Sequence, residues 1–248
     1  REDEGGYFGS FALIAFIPTQ SPMNSSLESV YLRFAMAECE MALKAWAAVN
    51  DAANMTSDDD AIRCAITFVQ HCAAISRMFW SPDAKPPEIQ LAEKDKKKRK
   101  IMKAAYDRCL HLRSVLSLQN GDHAIRKRSL RDNFEHFDQR LDEWAATSGG
   151  MVIVTSVVGG PDAVGGDLIK HHHIIHRLDP TTWEYFFRGE AFSLLALQDG
   201  VLDIESRVTK RLKELDSTPA PRGTVHIGVR IVQLPDDTTA EPPRNSRN

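Results

Sequence analysis

In the stretch Leu130-Arg-Asp-Asn-Phe-Glu-His-Phe-Asp-Gln-Arg-Leu-Asp-Glu-Trp144, the residues Leu130, Phe134, Phe137, Leu141 and Trp144 follow one another at spacings of four, three, four and three. That is the period of an amphipathic helix with one apolar stripe. Charged and polar residues fill the positions between. The helix is expected from about His123 to Thr147, after a stop at Asn120-Gly121 and with Asp122 as its cap.

Working back from it, three more helical patterns appear. Ser25 with Glu28 three residues later has the form of a capping box. It opens a run to about Val49 in which Leu27, Val30, Phe34, Ala37, Met41, Ala45 and Ala48 make a stripe expected to face inward. Asp58, Asp59 and Asp60 put negative charge at the start of a second helix carrying Ile62, Ile66, Val69, Ala73 and Phe79. Ser81-Pro82 and Pro86-Pro87 end it. A third helix is expected from about Leu91 to Leu118, with Ile101, Ala105, Leu112 and Leu116 inward.

Past Gly149-Gly150 the pattern changes. Met151 to Val158 is rich in β-branched residues and reads as a strand. Leu168–His176 reads as a second strand. Thr182–Arg188, with Trp183, Tyr185 and Phe187 alternating, reads as a third. Val201, Ile204, Val208 and Leu212 return to helical spacing, and Val225, Ile227, Val229 and Ile231 alternate like a strand. The expected fold class is mainly α: an antiparallel four- or five-helix bundle with a small β-rich C-terminal appendage. Its parts are an N-terminal arm (1–24), the bundle (25–147), a β-rich appendage with one helix (148–234) and a polar, disordered tail (235–248). The appendage could equally pack onto the bundle as one domain. In the arm, the apolar run Phe11–Ile17 follows acidic Glu2, Asp3 and Glu4. A secretory signal would carry basic residues there, so the run reads as a strand or a packed arm.

The 248 residues carry 42% hydrophobic and 26% charged side chains, ordinary globular values. No apolar run reaches the roughly 18 residues of a membrane span, so no membrane partner is expected. Cys39, Cys64, Cys72 and Cys109 form no CxxC pair. They read as small buried hydrophobes of a cytoplasmic protein. The formal net charge of −3 hides an asymmetry. Residues 91–140 hold fourteen Lys or Arg against seven Asp or Glu, a local +7 that leaves −10 for the remainder. Lys94, Lys96, Lys97, Lys98, Arg99, Lys100 and Lys103 form one group. Arg126, Lys127, Arg128 and Arg131 form another. Such runs are commonly a solvated helix face. They also suit the phosphate backbone of RNA, with Lys96, Lys97, Lys98, Arg99, Lys100, Arg126 and Arg128 as the contacts.

One segment has the residue types of a catalytic site. Arg131 is followed by polar Asp132, three further residues and His136. This resembles the R-polar-x(3)-H form of the motif that marks the HEPN superfamily, and the resemblance covers about residues 25–147. It implies a four- or five-helix up-down bundle. It also implies a metal-independent endoribonuclease of a bacterial defence or toxin–antitoxin type, acting as a homodimer with RNA as substrate and an antitoxin or other protein as a further partner. His136 would be the acid/base and Arg131 the phosphate clamp. Asp132 would orient one of them, with Asn133 and Arg140 in support. The chemistry is coherent. Attack of a 2′-hydroxyl on the adjacent phosphate needs a proton carrier near neutral pKa and a planar cationic fork for the growing charge. The alternative is a non-catalytic helical module that binds nucleic acid or a protein. On one continuous helix, five residues turn about 500°, which leaves Arg131 and His136 about 140° apart.

No cofactor and no metal are expected. His171, His172, His173 and His176 cluster without a Cys or HExxH companion. The glycine pairs at 159–160 and 165–166 match neither a dinucleotide fingerprint nor a P-loop.

Overall fold

The computed structural model describes residues 23–54, 58–80, 96–118, 121, 123–135, 137–147, 154–163 and 173–217. Helix α1 (Ser25–Asn54) and helix α2 (Asp58–Phe79) form an extensive antiparallel pair. Small residues set their approach. Ala35, Cys39 and Ala42 of α1, and Ala61, Ala65, Cys72 and Ala73 of α2, are buried. Phe68, Val69, Ile75 and Phe79 supply the bulk. The cap of α1 is Asn24, whose side chain accepts from the Ser26 N–H at 2.8 Å. The expected Ser25/Glu28 box does not form, because Glu28 is drawn inward to Arg211 and His111.

The inward stripe expected on α1 is corrected. Leu27, Val30, Phe34 and Met41 are exposed, and the buried face is Leu32, Ala35, Cys39, Ala42 and Val49. Both sets recur at helical spacing. The small set wins because it lets α2 come close.

Helix α3 (Lys96–Val115) ends where Ser117 takes a left-handed φ of 52°, with the Leu118 N–H returning to the Arg113 carbonyl at 2.9 Å. Leu112 and Leu116 are buried as expected, but Ile101 is 61% exposed. The helix expected over 123–147 opens instead with a 3₁₀ turn at Ala124–Arg126, and the described residues after it are α4 (Arg128–Glu135) and α5 (Phe137–Thr147), on either side of position 136, which lies outside them. Leu130 and Trp144 are buried. The side chains of Phe134 and Phe137 lie outside the described residues, as do Phe11–Ile17 and Val225–Ile231.

The sheet has the order β1 (Val154–Val158), β2 (Ile174–Asp179), β3 (Glu184–Phe187), β4 (Glu190–Ser193). The first pair is parallel and the others antiparallel. The described part of the expected Leu168–His176 strand begins pairing at Ile174, and β4 was not expected. It follows a two-residue hairpin in which Arg188 and Gly189 both have positive φ, 52° and 86°. Helix α6 (Leu194–Ser217) then packs along α1. Gly200 lets α6 meet the 124–126 turn, since a Cβ there would sit 2.9 Å from Ile125 Cγ1. Trp46 of α1 joins the layers, with ring centroids 5.6 Å from Phe68 and 5.1 Å from Trp183. One apolar cluster takes in residues of α1, α2, the sheet and α6. The β-rich region and its helix therefore share a core with the preceding helices. No described helix is long and apolar enough to cross a membrane.

Candidate functional site

The basic helix α3 is held by one half. Among its described residues, Cys109 and Leu112 are the buried ones. Arg108 lies over the Tyr31 ring, 5.2 Å from its centroid, and donates to the Arg77 carbonyl at 3.3 Å. His111 donates to Glu28 at 2.8 Å. Arg207 of α6 donates to the Leu116 and Ser117 carbonyls at 3.1 Å each. Among the described residues of the N-terminal half, none is buried. Lys98 and Lys100 are exposed and Arg99 is half-buried. Lys103 pairs with Asp107 at 2.8 Å, one turn on. The first turn of α3 has no acidic residue, so its cations stand at the positive end of their own helix dipole. The side chains of Lys96 and Lys97 lie outside the described residues.

The second basic group is elsewhere. Arg126 is exposed and donates to the Gly121 carbonyl at 3.2 Å. It lies near Arg113, whose pKa is lowered by burial and, to a smaller degree, by Arg126. Arg113 is about 20 Å along α3 from Lys100 at 1.5 Å per residue. The two groups thus flank different ends of the helix. Arg128 is exposed and ion-paired to Asp132 at 3.1 Å.

The residues of the 131–136 motif point to different neighbours. Arg131 is 4% exposed and donates to the Trp80 carbonyl at 2.8 Å. This places a cation against the C-terminal end of α2, where carbonyls have no helical partner. Asp132 faces Arg128. Asn133 is buried and donates to Glu190 at 2.9 Å, linking α4 to β4. Glu190 also lies 3.6 Å from Lys127, which donates to the Ala191 carbonyl and covers the Phe192 ring. Arg140 is in an exposed pair with Glu143 at 3.0 Å. His136 lies outside the described residues. The described residues on either side of it are helical, α4 up to Glu135 and α5 from Phe137.

Three partly buried polar pairings escaped the sequence reading. Glu28 of α1 accepts from Arg211 at 2.7 Å and from His111 at 2.8 Å, joining α1, α3 and α6. Burial pushes its carboxyl up, but these hydrogen bonds prevail and hold it below the usual glutamate range. Tyr185 shares a 2.6 Å hydrogen bond with His176 across β2 and β3, and burial lowers the His176 pKa. His123 sits 3.5 Å from Asp203, and burial lowers its pKa against the pull of that carboxylate. The first and third join residues at least 80 positions apart, so no local motif announces them, and the second depends on the register of β2 against β3. The thiol of Cys39 is pushed up by burial to about 12, which makes it a poor nucleophile. Among the described residues no group of three or more His, Cys, Asp or Glu converges as a metal site.

Comparison with family models, with curated proteins and with solved structures gives no match.

Proposed function

We propose that the protein binds RNA through the N-terminal half of α3, with Lys98, Arg99 and Lys100 as phosphate contacts and Lys96 and Lys97 extending the run. One observation carries this reading. Cations gather at a helix start with no acidic residue in its first turn, where the dipole disfavours them. A phosphate backbone removes that penalty and releases counterions as it binds. The test is fluorescence anisotropy on labelled single-stranded RNA over a range of salt. The Lys98→Ala/Lys100→Ala double variant should bind more weakly and lose about 1.4 from the log–log salt slope, about 0.7 per phosphate contact on a single strand. A slope equal to wild type would sink the reading.

A second reading is metal-independent RNA cleavage of the HEPN type. His136 would be the acid/base, Arg131 the phosphate clamp and Asp132 the orienting group, with RNA, a second copy and an antitoxin as partners. The residue types of the motif support it: a cationic fork at Arg131, a carboxylate at Asp132 and an imidazole at His136. Arg131 would have to exchange the Trp80 carbonyl for a phosphate oxygen. RNA cleavage that survives chelator and is lost in both His136→Ala and Arg131→Ala would establish this chemistry. RNA that stays intact with the wild-type chain would leave binding alone.

A further inference from the structure

The exposed face of α1 is patterned for a second helix. Leu27, Phe34 and Met41 recur every seven residues, with Val30 and Ala37 between them. That is the a/d spacing of a coiled-coil seam. From Leu27 to Met41 the seam spans about 21 Å at 1.5 Å per residue. Its large members are well out in solvent: Leu27 47%, Val30 45%, Phe34 63% and Met41 40%. The core of the protein already uses the opposite face of the same helix. Met41 leads on into a shallow groove between α1 and α2 lined by Ala45, Ala48, Cys64 and Thr67. An apolar row of this kind marks an interaction surface.

Charge selects the occupant. Glu38, on the α2 side of the seam, is taken by His71 at 2.9 Å. On the other side, Arg33 and Glu40 stand one heptad apart with opposite signs, and both are exposed. Two copies of α1 laid antiparallel set Arg33 beside the partner's Glu40, and Glu40 beside the partner's Arg33. The same register packs Phe34 against the partner's Ala37 and Val30 against the partner's Met41, large against small on both sides of the two-fold axis. Arg33 now meets Asp216 at 3.1 Å in a pair exposed by about 60% on each side, which is cheap to exchange. We infer that α1 is a homodimer interface, two copies meeting antiparallel along Leu27, Val30, Phe34, Ala37 and Met41. The inference is independent of the RNA reading. A two-heptad seam lies at the small end of stable interfaces, which bury about 1,200–2,000 Å². The dimer should therefore dissociate in the micromolar range.

Sedimentation equilibrium of the full chain tests it, with circular dichroism as the folding control. Wild type should shift from monomer to dimer over micromolar concentrations. Phe34→Glu should remain folded and weaken dimerisation about 100-fold or more, since it places two carboxylates at the centre of the seam. Arg33→Glu and Glu40→Arg should each weaken it several-fold by setting like charges across the axis. The double variant should recover to within about twofold of wild type. A chain that stays monomeric to millimolar concentration overturns the inference, whether an intrachain segment or another protein covers the face. A dimer indifferent to Phe34→Glu moves the interface elsewhere. Failure of the double variant to recover overturns the antiparallel register.

Discussion

The two halves of α3 differ both in charge and in its use: residues 96–105 hold six Lys or Arg and no acid, residues 106–115 two arginines and Asp107. In the C-terminal half, Arg108 and Arg113 sit beside the buried Cys109 and Leu112, and Arg108 donates to a backbone carbonyl of α2. Arg131 and Arg207, from other helices, likewise donate to carbonyls at helix ends. In the N-terminal half, Lys98 and Lys100 stand in solvent. Arginine's planar fork suits fixed carbonyl geometry, whereas lysine is a hydrated point charge. A count of +7 over this region therefore merges two populations. Only the exposed one is available to a polyanion.

The largest expected effect separates the two halves by packing. Leu112→Ala should cost about 3 kcal/mol, because a fully buried side chain leaves a cavity. Ile101→Ala, eleven residues earlier on the same helix, should lie within about 0.5 kcal/mol of wild type. Urea unfolding measures both. Equal costs would mean that the N-terminal half is packed after all.

The next effect concerns the anchor at Glu28. Glu28→Gln should cost about 2 kcal/mol, since it weakens charge-assisted hydrogen bonds from Arg211 and His111 in a buried setting. The pH dependence has a definite sign. A carboxyl held below its unfolded value of about 4.3 contributes fully above that pH and loses its contribution as pH falls through the folded value. Wild type should therefore lose stability below about pH 4.3 more steeply than Glu28→Gln. His123 and His176 add a loss at higher pH. Burial favours their neutral forms, so stability should begin to fall as pH drops through about 6.5. Parallel curves for wild type and Glu28→Gln across the acid range would remove Glu28 from this account.

Arg131→Lys should cost about 1 kcal/mol. The ammonium is shorter and must be desolvated to reach the Trp80 carbonyl. The measurement is the same urea midpoint. A substitution without effect would mean that the guanidinium is not held at the end of α2.

Long helices were legible because their apolar period extends over many turns, and α1, α2, α3 and α6 were all anticipated from it. Which face turns inward was not legible on α1. Leu32, Ala35, Cys39, Ala42 and Val49 keep the same period as Leu27, Phe34 and Met41, and only the close approach of α2 selects the smaller set. Strand β4 was missed because four residues give too short an alternation, although Arg188-Gly189 before it is a hairpin signal. The candidate site was legible in residue type but not in direction. Arg131 reaches a carbonyl 51 residues away in the chain, and Asn133 reaches β4. Nothing local to α4 specifies either.

The smallest effect on stability is the sharpest test of the contrast between the halves. Lys98 stands in the first turn of α3, exposed, at the positive end of the helix dipole. Replacing it with glutamate puts a negative charge where the dipole favours one. Lys98→Glu should therefore stabilise the protein slightly, by about 0.3–1 kcal/mol at low salt, with the gain shrinking as salt rises. The same substitution should weaken RNA binding, because a phosphate contact becomes a repulsion. Opposite signs in the two measurements would mean that the run of cations costs stability and is kept for a partner. A loss of both stability and binding would mean that Lys98 holds the helix in place, and the N-terminal half of α3 would then belong with the anchored half.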